Sequence, residues 1–388
     1  LFSFLSPLLS AKIDLQFAGF AYLGDYGHIK QNYPHSLAIN QQNIDEDGVL
    51  DAELRDRINK TNFENISLIT TRKGNLNDGE GLALSFILDR EVVNVDAIAG
   101  KHKLLIELAA QAMVFDFSSF SIVGSFPFIV QYIDVLDQPP TESYVREKIF
   151  SLYFDQTRAN VFTNFISTLN AANIKEKYKN RIKVSQVDIG EKALSFLPDI
   201  YTGDSNHINL KNFIAQSFSR SLSAQQSISV LPYTKGHAIG NKMSVRFSND
   251  DAVILEVPEA DYEIKITLRG FKKVEFSKNS LGSSWVYGAY SHFTVEEPLS
   301  GRIYLDTNLK NGATKNVPIS QPIVDDWPAF EESLLILFES LAKELDKPSK
   351  RWAKTHAGDK NIVNQLKAFH HSSFVNFLLG NRNKLEYL

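Results

Sequence analysis

One succession of elements can be read twice along this chain: a strand, an amphipathic helix, long strands joined in hairpins, and a closing amphipathic helix. That recurrence predicts two modules rather than a single core. The 388-residue length agrees, because ordinary domains take roughly 100–200 residues.

The first copy opens with the alternating strand Ile13–Leu23, broken after Asp25, Gly27 and Pro34. A helix capped near Asp47 or Asp51 runs through Leu54 and Ile58, and residues 64–71 form the next strand. The Asn-, Asp- and Gly-rich stretch 73–81 is a turn. From Leu82 to Leu136 the pattern is almost all strand, bending near Asp116–Phe120. The segment Leu104–Met113 could instead be helical by its Ala and Leu content. Asp137–Thr141 ends the sheet and introduces a helix around Tyr144–Tyr153.

A connecting helix, Ala159–Ala172, leads to the strand Arg181–Asp188, which begins the second copy. A helix at Asn209–Leu222 follows, with Leu210, Phe213, Ile214, Phe218 and Leu222 at helical spacing, and then strands at Ser227–Leu231 and Ala252–Val257. Long strands come next at Tyr262–Phe276, Trp285–Val295 and Gly301–Asp306. Trp327, Phe330, Leu334, Leu337, Phe338, Leu341 and Leu345 share one face of a helix started by Asp325 or Asp326 and Pro328. A last apolar helix spans Ile362–Leu379 and stops at Gly380.

The expected fold class is therefore α+β: two tandem α/β modules, each a mixed or antiparallel sheet with helices on one face, plus a C-terminal helical extension. Expected boundaries are 1–11 for an N-terminal arm, 12–158 and 159–346 for the modules, and 347–388 for the extension. The order of elements, with Val230-Leu231-Pro232 behind a helix and a closing hairpin, resembles the small α/β domains in the N-terminal part of TolB and in curli-secretion lipoproteins. Proteins of the polar flagellar basal-body rings are similar in using such domains in tandem. The resemblance spans residues 12–346 and implies periplasmic assembly or binding rather than catalysis. No residue here matches a functional position of those families.

Composition narrows the chemistry. There is no cysteine, which removes disulfides, thiol catalysis, thiolate metal sites and a lipidated N-terminal Cys. A net charge of −4 offers no general attraction to nucleic acid, and the basic runs Lys175–Lys183 and Lys347–Lys354 read as solvated connectors. Residues 1–11, apolar, uncharged and ending in small residues, resemble the end of a secretory signal peptide, so a periplasmic location is expected, with a cytoplasmic structural protein as the alternative. No segment is long and apolar enough for a membrane-spanning helix; peripheral envelope association is compatible with that.

No catalytic signature emerges. Asn43, Asp45, Asp47 and Gly48 approach a calcium loop, but Leu54 stands where a bidentate Glu belongs and Glu53 falls one residue early, so an acidic helix-capping turn is the better reading. The histidines, including His370-His371, lack metal spacing, and no metal or cofactor is expected. The sequons at Asn59 and Asn65 read as chance matches. The loop 233–243 has two glycines and lysines but not phosphate-loop spacing. Lys235, Gly236, His237, Asn241 and Lys242 are its candidate binding residues for an anion or a partner.

The expectation is thus a non-catalytic exported envelope protein that binds a protein partner or itself through sheet edges, that loop and the C-terminal helices. The rival is an enzyme or small-ligand binder with its site in the cleft between modules, for which Asp188, Glu191, Lys235 and His237 are the residues to test.

Overall fold

The same strand order is built twice. The computed structural model describes residues 12–41, 48–71, 81–203, 207–233, 238–239, 241–321, 323–359 and 361–371. In the first sheet β1 (Ile13–Leu23) runs parallel to β3 (Leu82–Ile98), which continues antiparallel into β4 (Lys101–Asp116) and β5 (Ile122–Leu136). In the second, β6 (Ile182–Ile189) runs parallel to β10 (Tyr262–Asn279), followed antiparallel by β11 (Gly282–Glu297) and β12 (Arg302–Pro318). The orders β5-β4-β3-β1 and β12-β11-β10-β6 therefore correspond. Their irregularities correspond too. Ala18 in β1 and Ser185 in β6 are bulged against the parallel neighbour, and Asp89 in β3 and Arg269 in β10 against the antiparallel one.

Between β1 and β3 lie α1 (Tyr26–Asn32), α2 (Pro34–Asn40), α3 (Gly48–Asn59) and the short β2 (Ile66–Ile69), which pairs with the start of β1. The first two helices arise where breakers were expected, because Pro34 starts α2 instead of ending a strand. After β5 come α4 (Glu142–Phe154) and α5 (Val161–Ala171). Leu50, Leu54 and Ile58 of α3, Ile149 and Leu152 of α4, and Phe162, Phe165 and Leu169 of α5 cover one face of the first sheet around the stacked pair Phe20 and Phe86.

Three expectations about organisation are corrected. The connecting helix α5 belongs to the first core, because its apolar stripe faces that sheet and its cap residue Asn160 accepts a hydrogen bond from Arg57 of α3. The expected strand at residues 227–231 is a linker: Val230 donates to Ser125 of β5 and Leu231 to Ile182 of β6, joining the edges of the two sheets. The strand β9 (Ala252–Glu256) joins the first sheet through β8 (Lys242–Phe247), which itself pairs with the end of β1 and with β7 (Ala238–Ile239). Met243, Val245 and Phe247 alternate on β8 and cover part of that sheet's second face with Ile87 and Met113.

The second core packs α8 (Ile208–Gln226) and α9 (Trp327–Glu344) on β6, β10, β11 and β12, with α6 (Glu191–Leu194) and α7 (Asp199–Thr202) at the end of β6. The C-terminal helical extension, α10 (Lys350–His356) and α11 (Ile362–His370), packs onto this core: Phe369 sits edge-on to Tyr262 and near Tyr304. No helix among the described residues is long and apolar enough to cross a membrane.

Candidate ligand cleft between the two cores

The helix α8 has two unlike faces. Phe213, Phe218 and Leu222 enter the second core, whereas Gln216, Ser219, Arg220 and Ser223, at spacings of three and four, turn to the uncovered part of the first sheet. That sheet answers with polar residues from three strands: Arg90 on β3, Glu107 and Gln111 on β4, Ser125 on β5. The result is a buried polar seam. Arg90 forms an ion pair with Glu107 and donates to the Asn209 carbonyl at 3.1 Å. Gln131 donates to the other Glu107 oxygen at 2.7 Å, and Ser125 donates to Gln111 at 2.5 Å.

Asp89, set inward by its bulge, accepts a hydrogen bond from Gln216 at 2.5 Å. Burial pushes its carboxyl up to about 7, against the opposing pull of Arg90 and Gln216. Burial also raises Glu331 of α9, and the nearby Glu107 adds to the rise. A second tie between the cores is the ion pair of Lys103 with Asp325, next to Asp326, which holds Lys273 at 2.8 Å and accepts from the Tyr287 hydroxyl at 2.7 Å.

At one end the seam opens into a cleft of about 280 Å³. Its floor is Phe126–Ile129 of β5, and its walls are Asn164, Ser167, Thr168 and Ala171 of α5 and Arg220, Ser223 and Ala224 of α8. The guanidinium of Arg220 is partly buried, and burial depresses its pKa while Glu107, Glu339 and Glu331 act on it from a distance in the other direction. Among the described residues it makes no hydrogen bond and no ion pair. A guanidinium carries five donors in a planar fork suited to carboxylate or phosphate. The wall hydroxyls are turned to main-chain carbonyls: Ser223 donates to Ile228 at 2.7 Å and Ser167 to Asn164 at 3.1 Å.

The floor strand is also the edge of its sheet. Its first part is covered, because Ser229 and Val230 bond the main chain of Ser125, and Gly124 leaves room for them: a Cβ there would lie 2.4 Å from the Ser229 hydroxyl. Since Ser125 points its N–H and C=O outward, the alternation of an antiparallel ladder turns those of Ile129, Gln131, Ile133 and Val135 outward as well. Pro127 falls in the same outward row, where a missing N–H breaks no ladder bond. Beyond Ser125 no described strand pairs with this edge.

The residues singled out from sequence lie elsewhere. Lys235, Gly236 and His237 fall outside the described residues, as does most of the acidic turn before Gly48. Asn241 and Lys242 are exposed at the β7–β8 hairpin, where the Asn241 carbonyl accepts from Val257 at 2.7 Å. Asp188 and Glu191 are exposed around the end of β6, and neither lines the cleft. No group of three potential metal ligands occurs among the described residues. The missed residue is Arg220. Its signal was a 19-residue helix whose second face carries Ser, Gln and Asn instead of the charges of a solvated face.

No family model and no curated protein matches the sequence. Solved structures with partial likeness are bacterial. One assigned as a neuraminyllactose-binding hemagglutinin homologue from Helicobacter pylori is 12% identical, covers 49% of this chain and 92% of its own, and has a TM-score of 0.27. The hypothetical protein CT253 from Chlamydia trachomatis is 10% identical over 42% of this chain and 97% of its own, at 0.25. Protein XCC0632 of Xanthomonas campestris, of family DUF330, is 12% identical over 49% and 88%, at 0.22. Likenesses this low bear on neither mechanism nor ligand.

Proposed function

We propose that this chain is a non-catalytic binding protein of the bacterial cell envelope and that the cleft between its two cores is the binding site. The observation that carries the reading is Arg220, a partly buried cation that makes no hydrogen bond or ion pair among the described residues, in the lining of a largely apolar cavity. A site of that make-up holds an apolar group and fixes its orientation through one anionic end. The described lining offers no carboxylate or imidazole to serve as a general base, and two of its hydroxyls are spent on carbonyls, which favours binding over turnover. The envelope assignment is supported by the leader-like residues 1–11 and by the tandem modules resembling envelope-assembly domains.

The test is thermal unfolding of the full chain and of Arg220→Gln against a panel of small carboxylates, acidic sugars and mixed-sequence peptides, with the same mixtures assayed for product. Stabilisation by about 2 °C or more that the variant lacks supports the reading. Equal responses from both proteins, or turnover that the substitution abolishes, overturn it.

A further inference from the structure

Resting on that assignment of the cleft, we propose that its occupant is the C-terminal end of an extended polypeptide from a partner. It adds as a strand to the outer edge of β5 and delivers its terminal carboxylate to Arg220. Three observations converge. First, the outward main-chain groups of Ile129, Gln131 and Ile133 form a row that no described strand pairs, with the spacing of a further strand, and at its outer end the Val135 N–H donates to the Asp134 carboxylate at 2.8 Å. Ile133 and Val135 are 54% and 61% exposed, so alternate side chains of an incoming strand find apolar neighbours along the same row.

Second, the row has a closed end. Ser229 and Val230 already occupy the edge at Ser125, so a strand laid from Val135 toward the cleft has to stop beside Pro127. An internal segment would have to turn out sharply at that point, whereas a chain terminus simply ends there. Third, the cleft at that end matches a terminus. Arg220 faces the place where the carboxylate falls, and Phe126, Phe128, Ala171, Ala172 and Ala224 border space for one apolar last side chain. Carboxylate to guanidinium is the charge-assisted, bidentate pairing that Arg220 lacks internally.

The probe is an immobilised library of ten-residue peptides of mixed sequence with free C-termini, and a twin library ending in amides, both offered to the full-length chain. Selected free-acid peptides are then titrated by fluorescence polarisation. Amidation or Arg220→Gln is expected to weaken binding tenfold or more, the usual scale for losing a charge-assisted hydrogen-bond pair. A second variant, Ile133→Pro, removes an outward N–H that β4 does not use, at the kind of position Pro127 already fills, so the fold is retained. It is expected to weaken the same peptides about tenfold with Arg220 intact. Hydrogen exchange should slow at Ile129, Gln131 and Ile133 on binding.

Peptides that bind equally as amides, or that ignore Ile133→Pro and leave those amides unprotected, overturn the proposal. Failure of all peptides while a small carboxylate stabilises wild type and not Arg220→Gln would overturn strand addition and leave the cleft a binding site. A response to neither probe removes the cleft reading as well.

Discussion

Replacing Asp89 by Asn should change how stability depends on pH, and the size of the effect follows from burial. The carboxyl lies in the seam beside Arg90, with Gln216 donating to it at 2.5 Å, and its pKa is pushed up to about 7 from the 3.8 of a free aspartate. From about pH 4 to pH 7 the folded protein therefore keeps a proton that the unfolded chain has released. With more protons bound to the native state, stability falls as pH rises, by about 1.4 kcal/mol per unit. Across a window of roughly three units the loss attributable to Asp89 approaches ~4 kcal/mol as a ceiling, and above pH 7 the slope ends. Asparagine is neutral throughout and can still accept from Gln216 through its side-chain oxygen. The variant should thus match wild type near pH 5 and exceed it by about 2–3 kcal/mol at pH 8, the lower figure allowing for the lost attraction of Arg90. Urea titrations followed by circular dichroism at intervals from pH 5 to 8 read this directly. Glu91 and Glu331, also raised by burial, impose slopes of the same sign on both proteins and cancel in the difference. Parallel stability curves, or a variant weaker than wild type at pH 8, would refute the reasoning, because the buried charge would then be held at no net cost.

Gly19 has a backbone φ of +135° and its missing side chain leaves room for Asp51, whose oxygen would lie 2.9 Å from a Cβ. Gly19→Ala should cost about 1–3 kcal/mol in chemical denaturation, and an unchanged midpoint would show that the bulge relaxes freely. Asn160 caps α5 through Thr163, bonds the Asp155 carbonyl at 2.7 Å and receives Arg57 at 3.1 Å. Asn160→Ala should lose about 2–4 kcal/mol in the same assay, with a loss under about 0.5 kcal/mol contradicting the assignment. At the projecting end of the second sheet Phe276 and Leu281 are 74% and 80% exposed. Replacing both by Ser should leave the melting temperature unchanged and lower any self-association seen by light scattering; a large drop in melting temperature would show that they are packed.

Most strands and helices were legible because their apolar spacing matches what they cover. Met243, Val245 and Phe247 alternate as cleanly as any strand, yet the glycine loop ahead of them drew the reading away from β8. Only the opening of β12 could be read, since Lys310–Asn316 has little apolar alternation and is held extended by its pairing with β11. The second face of the first sheet was unreadable for a different reason. Asp89 and Arg90 look solvent-facing in sequence, and their partners Gln216 and Asn209 come from α8, more than a hundred residues further along the chain. The cleft shares that property. β5, α5 and α8 meet through tertiary packing, and Arg220 among serines gives no local hint of what it faces.

The alternation of helices, sheet, helices and sheet makes this a head-to-tail stack of two like units, the second docking its helical side onto the sheet of the first. Such an arrangement has no symmetry to close it and would in principle go on adding units. Both outer surfaces of the stack carry charges. The outward side of α3 carries Glu53, Asp56 and Lys60, and the free face of the second sheet carries the pairs Lys183 with Glu263 and Lys265 with Glu296, and His292 with Asp306. A third unit would have to strip water from those charges, whereas at the internal junction the charges of Arg90 with Glu107 and of Lys103 with Asp325 are already paired among serines and amides. Charged ends of this kind set a desolvation cost against the addition of a further like unit.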